Sequence, residues 1–495
     1  MLQPILSKNW LLNHHRQSDV DLMNLPERVI QFGTGVLLRG LPDFYINQAN
    51  KSGDFNGRVV VVKSTSSGVL DDFVDQDYLY THLIRGISNG KVLEQNIVNS
   101  SISRILAAQE QWNEVLNCAQ NSNINIVISN TTERGLVYQE ELIEGIIPNS
   151  FPNKLLSYLY VRYITLGSQP KADIIILPTE LVEYNGNKLK DYIVRGAKFN
   201  HFSSGFLAWL EMHAFFCNTL VDRIVPGKPN NELKVKLEDE LGYQDECMIM
   251  SEPFHLWAIE GGQKVKDMLS FARNVPEIKI VENINLYKEL KLRLLNATHI
   301  LSCGLAVIEG FETVSESLND HEFNFKVEKL IDDIKISIPM EISKSEIDSF
   351  ASSVIERFKN PYIEHLWSSI LLNYTEKMKI RAIPLMDKYF KKCNHHSDTM
   401  MVGLASYFYI SIPDLEKDGV YFKNLNNVNI KLNDSFSSHL FSLKSKFGEE
   451  KAIEMFLQEY LLKGSGIVDQ ANDILGFIKT YLDSFKCVKQ TENVK

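Results

Sequence analysis

Three polar side chains in the mostly apolar stretch 291–309 are suited to chemistry on a carbonyl group. Lys291, Asn296 and His299 have offsets of 0, 5 and 8 residues. On an α-helix these positions lie at roughly 0°, 140° and 80°, within one face. An asparagine amide can donate to an oxygen that gains negative charge, a desolvated lysine amine can exchange a proton, and a histidine can orient the substrate. The spacing predicts a site for reversible carbonyl reduction, and a structural buried polar network is the alternative.

A second polar pair lies in the segment T-L-V-D-R-I-V-P-G (219–227), where Asp222 and Arg223 precede a Pro-Gly turn. The preceding stretch, 201–224, has a long helical pattern. The pair is therefore interpreted either as a salt bridge at a helix end or as part of a ligand site.

A glycine-rich turn occurs in Q-F-G-T-G-V-L-L-R-G (31–40), between an apolar strand pattern and a helical pattern. Gly33 and Gly35 would let the backbone approach a pyrophosphate, and the following helix N-terminus would attract it. Leu38 takes the place of the third glycine of G-x-G-x-x-G. A strand-to-helix turn without a ligand is the alternative. The end of the next strand pattern carries Lys63, Ser64 and Thr65 rather than an acidic residue, which leaves NAD versus NADP open.

Strands and helices must alternate in the first half of the chain to position these residues. Short β-branched runs separated by helical patterns predict a parallel, doubly wound, Rossmann-like sheet. The strand patterns cover 28–33, 57–64, 124–132 and 172–180, and the stretch 78–105 predicts additional strands. The helical patterns between them cover 36–50, 107–120, 152–166 and 187–198.

The second half of the chain reads as a mostly α-helical domain without clear strand runs. We place the boundary near residue 283, so that a dinucleotide-binding domain covers 1–283 and a substrate and catalytic domain covers 284–495. The helical patterns cover 285–309, 325–334, 343–358, 361–373, 378–391, 398–409, 435–446, 448–463 and 467–485.

Composition excludes several classes of protein. The 495 residues exceed what one core usually supports, and the apolar fraction of 44% and charged fraction of 23% are typical of globular proteins. A formal net charge of −10 disfavours nucleic acid as a partner. We expect a cytoplasmic protein with no signal peptide, no membrane association and a small-molecule substrate; the oligomeric state is not readable. Cys393, His395 and His396 are too few ligands for a zinc site, so no metal is expected.

Together these segments resemble the long-chain mannitol dehydrogenase family of polyol and sugar-acid dehydrogenases. F-G-T-G-V-L-L-R-G is similar to the nucleotide loop of the family, T-L-V-D-R-I-V-P to its V-D-R-I-x-P signature, and Lys291, Asn296 and His299 to its K-x4-N-x2-H pattern. Within the family, the segments 79–86, 129–135, 177–186, 252–261 and 360–384 are similar to members that act on sugar acids. The resemblance covers roughly residues 26 to 485.

The resemblance implies a metal-independent, NADH-dependent oxidoreductase, with NADP as an open alternative. Lys291 would be the general acid/base, Asn296 would polarise the carbonyl and His299 would hold the substrate. Asp222 would lie near the nicotinamide or the substrate, and Lys377 would lie in the substrate pocket. The implied cofactor-binding positions are Ile30, Gln31, Phe32, Gly33, Thr34, Gly35, Val36, Leu37, Leu38, Arg39 and Asp222.

Two departures from the polyol members favour a sugar acid over a polyol. This chain has T-E-L-V at 179–182 where polyol members have C-D-N-L, so that Leu181 replaces a second amide, and it has no arginine between Arg357 and Lys377. The expected reaction interconverts a keto-uronic acid and an aldonic acid, D-tagaturonate and D-altronate. Reduction of D-fructuronate, oxidation of a mannitol-type polyol, and a non-catalytic sensor of sugar acids or nucleotides are the alternatives. Candidates to bind the substrate carboxylate are Lys377, Lys379, Arg381 and His365, with Lys377 preferred from the family pattern.

Overall fold

The computed structural model describes residues 3–64, 70–131, 135–338 and 342–492, with side chains described up to residue 485. Thr65 and residues 132–134, which belong to segments discussed above, lie outside this part. The chain forms two compact units: residues 1–86 with 92–284, and residues 87–91 with 285–495. Among the described residues, no helix combines the length and apolarity needed to cross a membrane.

A six-stranded parallel sheet forms the centre of the first unit, in the strand order β5-β2-β1-β6-β7-β8. This order is that of a Rossmann fold, in which strands are first added on one side of β1 and then on the other. Smaller sheets have the orders β10-β3-β4 and β12-β11-β9. The strands are β1 (Glu27–Phe32), β2 (Arg58–Lys63), β3 (Tyr80–Ser88), β4 (Lys91–Asn99), β5 (Ile102–Ala107), β6 (Ile126–Ser129), β7 (Ile174–Pro178), β8 (Ala214–Phe216), β9 (Thr219–Asp222), β10 (Ile249–Ser251), β11 (Leu256–Glu260) and β12 (Ile278–Val281).

Alternating side chains of the parallel strands enter two separate cores, one on each face of the sheet. Val29 lies in one core and Ile30 in the other, and Val61 and Val62 divide in the same way. Burial on both faces explains why these strands are continuous apolar runs. The helices of this unit are α1 (Lys8–Asn13), α2 (Gln17–Leu22), α3 (Val36–Gly40), α4 (Pro42–Ser52), α5 (Asp71–Asp75), α6 (Trp112–Gln120), α7 (Phe151–Leu166), α8 (Asn185–Phe199), α9 (Ser204–His213), α10 (Asn231–Leu241) and α11 (Gln263–Met268).

Helices α13 and α20 pack closely at the centre of the second unit. A side chain at Gly304 would approach the Ser406 backbone to 2.8 Å, and one at Gly403 would approach the Leu301 carbonyl oxygen to 2.7 Å. The helices are α12 (Asn285–Leu290), α13 (Thr298–Ile308), α14 (Val314–Asn319), α15 (His321–Ile336), α16 (Lys344–Phe358), α17 (Trp367–Ile370), α18 (Tyr374–Lys377), α19 (Ile383–Cys393), α20 (Asp398–Ser411), α21 (Ser437–Phe447), α22 (Glu449–Phe456) and α23 (Ala471–Glu492).

The predicted fold class is confirmed, but three local predictions are wrong. The helix predicted over 201–224 ends at His213, and the chain continues as β8 and β9 because backbone pairing with β7 and β11 is available there. A three-stranded antiparallel sheet, β13 (Leu415–Lys417), β14 (Val420–Leu425) and β15 (Val428–Leu432), interrupts the helical second unit. Of the helix predicted over 361–373, only α17 forms.

Candidate active site

The glycine-rich turn follows β1, between the ends of β2 and β6. Gly33 has a φ of +128°, a conformation that side chains disfavour. A Cβ there would lie 3.0 Å from the Asn130 carbonyl oxygen. Gly35 precedes α3, and a Cβ there would meet nothing within 4 Å. The first glycine is needed for the turn, and the second leaves open space beside the backbone. This arrangement fits the approach of a pyrophosphate.

The predicted cofactor-binding positions around this turn differ in whether their side chains are accessible to a ligand. The side chains of Ile30, Phe32 and Leu38 are completely buried in the apolar cores. These positions can therefore meet a ligand only through the backbone. Gln31 is also buried, and its amide donates to the Gly33 carbonyl oxygen at 3.4 Å and to Asp43 at 3.3 Å.

Asp43 is a buried carboxyl group directly linked to the glycine-rich turn. Burial raises its pKa to about 7, against the lowering effects of the Gln31 hydrogen bond and the Arg39 charge. Its Oδ1 and the Oε1 of Gln31 are buried without a hydrogen-bond partner. The turn is thus supported by a carboxyl group that is protonated over much of the range below pH 7.

Arg39 is used for packing around the turn. Its guanidinium donates to the Cys247 carbonyl oxygen at 2.6 Å and lies over the rings of Phe73 and Tyr80. The Tyr80 hydroxyl in turn donates to the Arg39 carbonyl oxygen at 2.8 Å.

The segment 219–227 is a strand and loop that packs against α3, so its interpretation as a helix stop is wrong. Asp222 ends β9 and is buried. The Arg223 guanidinium donates to the carbonyl oxygens of Gly40 at 2.7 Å and Glu252 at 3.0 Å. A Cβ at Gly40 would lie 2.8 Å from Val225. The V-D-R-I-x-P signature therefore fixes the helix that follows the glycine-rich turn.

The T-E-L-V segment places the carboxyl group of Glu180 at the end of the parallel sheet, followed by the apolar Leu181. Glu180 is 3% exposed and accepts hydrogen bonds from the Thr131 backbone at 2.9 Å and the Ser129 hydroxyl at 3.2 Å. Burial raises its pKa. Leu181 is 67% exposed. Asn130 donates to the Thr179 carbonyl oxygen at 2.9 Å, so that the ends of β6 and β7 are joined through polar side chains.

In the second unit, Lys291 and Asn296 lie on a π-helix that spans Lys291–Ala297. Hydrogen bonds to the fifth residue widen the turn, to about 80° per residue, so Asn296 lies about 40° from Lys291 instead of 140°. Both residues are half-buried, whereas Arg293–Leu295 are buried. The angles expected for an α-helix are therefore wrong, and the wider helix brings the lysine and the amide closer to one face.

His299 follows on α13 and is buried among aromatic rings. Its ring stacks on Phe358 at a centroid distance of 4.0 Å and meets His365 edge-on at 4.9 Å. Its Nε2 is buried without a hydrogen-bond partner. Burial, followed by the charges of His365, Arg357, Arg381 and Lys377, lowers its pKa well below 6.5. The ring is therefore neutral at pH 7.

The candidate carboxylate-binding residues separate into two environments. Lys377 donates to the Ile370 carbonyl oxygen at 2.9 Å, and burial and Arg381 lower its pKa. Arg381 belongs to a second π-helix, Met378–Ala382, which packs against the first. Lys379 instead lies 3.7 Å above the Tyr460 ring, which gives it a partner of its own.

Sequence reasoning did not single out Asn130, Asp43, Glu180 or Arg357. A signal existed for Asn130 and Glu180, because both directly follow buried strands of a parallel sheet, where ligand sites form. Asp43 gave no signal, since an acidic residue in a first helical turn is ordinary. Arg357 lies in the last turn of an amphipathic helix, where a solvated side chain is equally expected.

A Rossmann sheet with a glycine-rich first turn, followed by a helical unit, defines a dinucleotide-dependent oxidoreductase. Family models support this class: the mannitol dehydrogenase Rossmann domain matches residues 27–272, and the mannitol dehydrogenase C-terminal domain matches residues 283–448. The chain belongs to the mannitol dehydrogenase family, whose members act on CH–OH groups. The family predicted from the motifs is confirmed.

Among known relatives, the chain is similar to an altronate oxidoreductase of Halalkalibacterium halodurans. The two are 39% identical over 77% of this chain and 74% of the relative. Two solved structures share the fold. A D-sorbitol dehydrogenase in substrate-free form has a TM-score of 0.74 at 19% identity, covering 93% of this chain and 94% of the other. A Pseudomonas fluorescens mannitol 2-dehydrogenase, solved with NAD and D-mannitol, has a TM-score of 0.64 at 17% identity, covering 94% and 93%.

Proposed function

We propose that this protein reduces a keto-uronic acid to an aldonic acid, D-tagaturonate to D-altronate, with NADH and in a reversible reaction. The observation that carries this proposal is the π-helix that turns Lys291 and Asn296 towards one face, with His299, whose ring is neutral, three residues after Asn296. The name of the similar altronate oxidoreductase supports the substrate. The first unit would bind the dinucleotide and the second would carry the catalytic residues.

Each residue has a role that its chemistry supports. The reduced nicotinamide supplies a hydride to the carbonyl carbon when it is bound. Asn296 donates a hydrogen bond to the oxygen as its negative charge develops, and Lys291 protonates that oxygen or removes the proton in the reverse direction. His299 stays neutral and holds a substrate hydroxyl group.

The glycine-rich turn and its neighbours would hold the dinucleotide. Backbone N–H groups of residues 33–36 offer donors to the pyrophosphate, and the open space at Gly35 allows close approach. Asp222, buried at the end of β9, would lie near the nicotinamide or the substrate. NADH is preferred over NADPH from the family resemblance; Lys63 and Ser64 at the end of β2 are compatible with either.

Replacement of the lysine tests the mechanism. We expect Lys291→Ala to lower kcat by about two to four orders of magnitude, because proton transfer to the product oxygen is lost. The dissociation constant for NADH, measured by fluorescence, should stay near the wild-type value. Lys379→Ala is the matched control, since it removes an equal charge from a side chain held over Tyr460. Turnover of Lys291→Ala near the wild-type rate would refute the mechanism.

A substrate panel tests the reaction itself. NADH and NADPH are each combined with D-tagaturonate, D-fructuronate and D-fructose, and the absorbance of the nucleotide is followed. The proposal expects the highest kcat/KM for NADH with D-tagaturonate. Faster turnover of D-fructuronate or D-fructose would mean that this compound, and not D-tagaturonate, is the substrate. Binding of the sugar acid without turnover of any pair would indicate a sensor.

A further inference from the structure

A cluster of basic side chains surrounds His299 in the second unit. It contains Arg357 at the end of α16, His365 before α17, Lys377 at the end of α18 and Arg381 on the second π-helix. The His365 ring meets that of His299 at a centroid distance of 4.9 Å, and the π-helix of Arg381 packs against the π-helix that precedes α13. All four groups lower the pKa of His299. Arg357 and Lys377 also lower that of His365. Several positive charges therefore converge on one half-buried region, which favours a negatively charged ligand.

Arg381 differs from the other cations of this cluster. Within the described part of the chain, its guanidinium makes no hydrogen bond and no ion pair. It is half-buried, and burial lowers its pKa. A guanidinium has five N–H donors and loses solvation when it is buried. Such a group is stabilised when an anion supplies the missing acceptors.

The carboxylate that acts on Lys377 is already engaged. Asp434 raises the pKa of Lys377, but its carboxylate accepts hydrogen bonds from the backbone of Thr375 at 2.7 Å and of Phe436 at 2.9 Å. The Asp434 carboxylate therefore offsets part of the positive charge of Lys377. The N–H donors of Arg381 remain for another acceptor.

A second observation places a ligand beside these cations. The residue His299 is 9% exposed, and its Nε2 atom is buried without a hydrogen-bond partner. A buried ring nitrogen without a hydrogen bond is unfavourable. A carboxylate and its neighbouring hydroxyl group would satisfy both the guanidinium and the imidazole.

We propose that Arg381 binds the carboxylate of the substrate and so determines the preference of this chain for sugar acids over neutral polyols and ketoses. This inference rests on the proposed function, since it assigns the carboxylate subsite of the same reaction. A planar guanidinium can bind a carboxylate through two parallel hydrogen bonds. Lys377, with its ammonium on the Ile370 carbonyl oxygen, adds charge at the edge of the subsite.

The test compares charged and neutral substrates in the Arg381→Met variant. We expect KM for the keto-uronic acid to rise about 10- to 100-fold with little change in kcat, since the lost contacts act equally before and during the reaction. The kcat/KM for D-fructose should stay within about twofold. Arg381→Lys should recover part of the affinity, because it restores the charge but not the paired hydrogen bonds. NADH affinity and the thermal unfolding midpoint report whether the variants are folded.

Lys379→Met is the matched control, because it removes one positive charge from the same π-helix at a side chain that lies on Tyr460. It should leave the ratio of the kcat/KM values for the keto-uronic acid and D-fructose unchanged. An equal loss in both variants would mean that general electrostatic attraction, and not Arg381, accounts for the preference, and would overturn the inference.

Calorimetric titration of the NADH-loaded chain with D-altronate and with the neutral polyol D-mannitol separates the two proposals. If wild type reduces the keto-uronic acid but Arg381→Met keeps its KM within about twofold, the inference fails and the proposed function stands. If wild type turns over no sugar acid but binds D-altronate through Arg381, the proposed function fails and the inference stands. Equal binding of D-altronate by wild type and Arg381→Met, or no binding by either, overturns the inference.

Discussion

Buried and half-buried arginines are used in opposite ways in the two units of this protein. Around the glycine-rich turn, Arg39 and Arg223 donate to backbone carbonyl oxygens, and each also lies over an aromatic ring. Around His299, Arg381 is half-buried with no acceptor among the described residues. The difference indicates that an arginine whose acceptors belong to the fold fixes structure, whereas one without them is available to a ligand.

The largest effect expected from this comparison is on stability. Arg223→Met removes the guanidinium donors from the buried carbonyl oxygens of Gly40 and Glu252, although the Glu252 oxygen keeps the Ser251 hydroxyl at 3.2 Å. We expect a cost of about 1–3 kcal/mol for each group that is left unsatisfied. We expect the thermal unfolding midpoint of the first unit to fall by roughly 4 to 10 °C. Arg381→Met should shift the midpoint by less than about 2 °C. Equal shifts of the unfolding midpoint for the two variants in differential scanning calorimetry would mean that both arginines stabilise the fold to the same extent.

A second prediction concerns the pH dependence of the buried network in the first unit. Folding raises the pKa of Asp43 to about 7, so the folded chain holds this proton more tightly than the unfolded chain does. The Asp43 contribution to stability therefore falls as the pH rises from about 4 to 7 and is constant above that range. We expect Asp43→Asn, which keeps an acceptor for Gln31, to remove this loss.

Urea unfolding of wild type and Asp43→Asn between pH 4.5 and 8 measures this contribution. The difference in unfolding free energy should grow by roughly 2 to 4 kcal/mol in favour of the variant over that range. A difference that does not change with pH would mean that the carboxyl group is ionised in the fold. The first unit would then hold a buried charge beside the glycine-rich turn, as the second unit holds charges around His299.

The smallest expected effect is a change in the pKa of His299 when a ligand binds to the second unit. Its pKa lies well below 6.5, so its NMR signals, assigned with a His299→Gln variant, should not titrate between pH 6 and 8. A bound sugar acid brings negative charge to the surrounding cations and should raise this pKa. D-Mannitol is the neutral control. A ring that titrates near pH 6.5 without ligand would contradict the electrostatics described for the cluster.

Structure could be predicted from the sequence where a single physical requirement determines the local residue types. Strands β1 and β2 are buried on both faces and were predicted from their β-branched runs. The glycine-rich turn was visible because Gly33 needs a positive φ. The family motifs predicted a catalytic role for Lys291, Asn296 and His299 from residue type and order along the chain, and that role stays a prediction.

The remaining features depend on contacts that are distant in sequence. The apolar run at 214–222 fits a helix or a strand, and pairing with β7 and β11 decides for strands. The π-helix at Lys291–Ala297 has no local sequence signature. The separate environments of Lys379 and Arg381 depend on Tyr460, which lies about 80 residues further along the chain.

The π-helix at Lys291–Ala297 also has a consequence for chain length. A helix of this kind contains one residue more than an α-helix of the same rise, and its backbone geometry is less favourable, which is why such segments are rare. Deleting one residue there would let α12 and α13 join as a single regular helix with improved backbone hydrogen bonding. The same deletion would leave Lys291 and Asn296 four residues apart, which on an α-helix is still about 40° and therefore one face. The additional residue thus costs backbone stability without being required for the shared orientation of the amine and the amide, so a chain shortened by this residue should be more resistant to heat and keep that orientation.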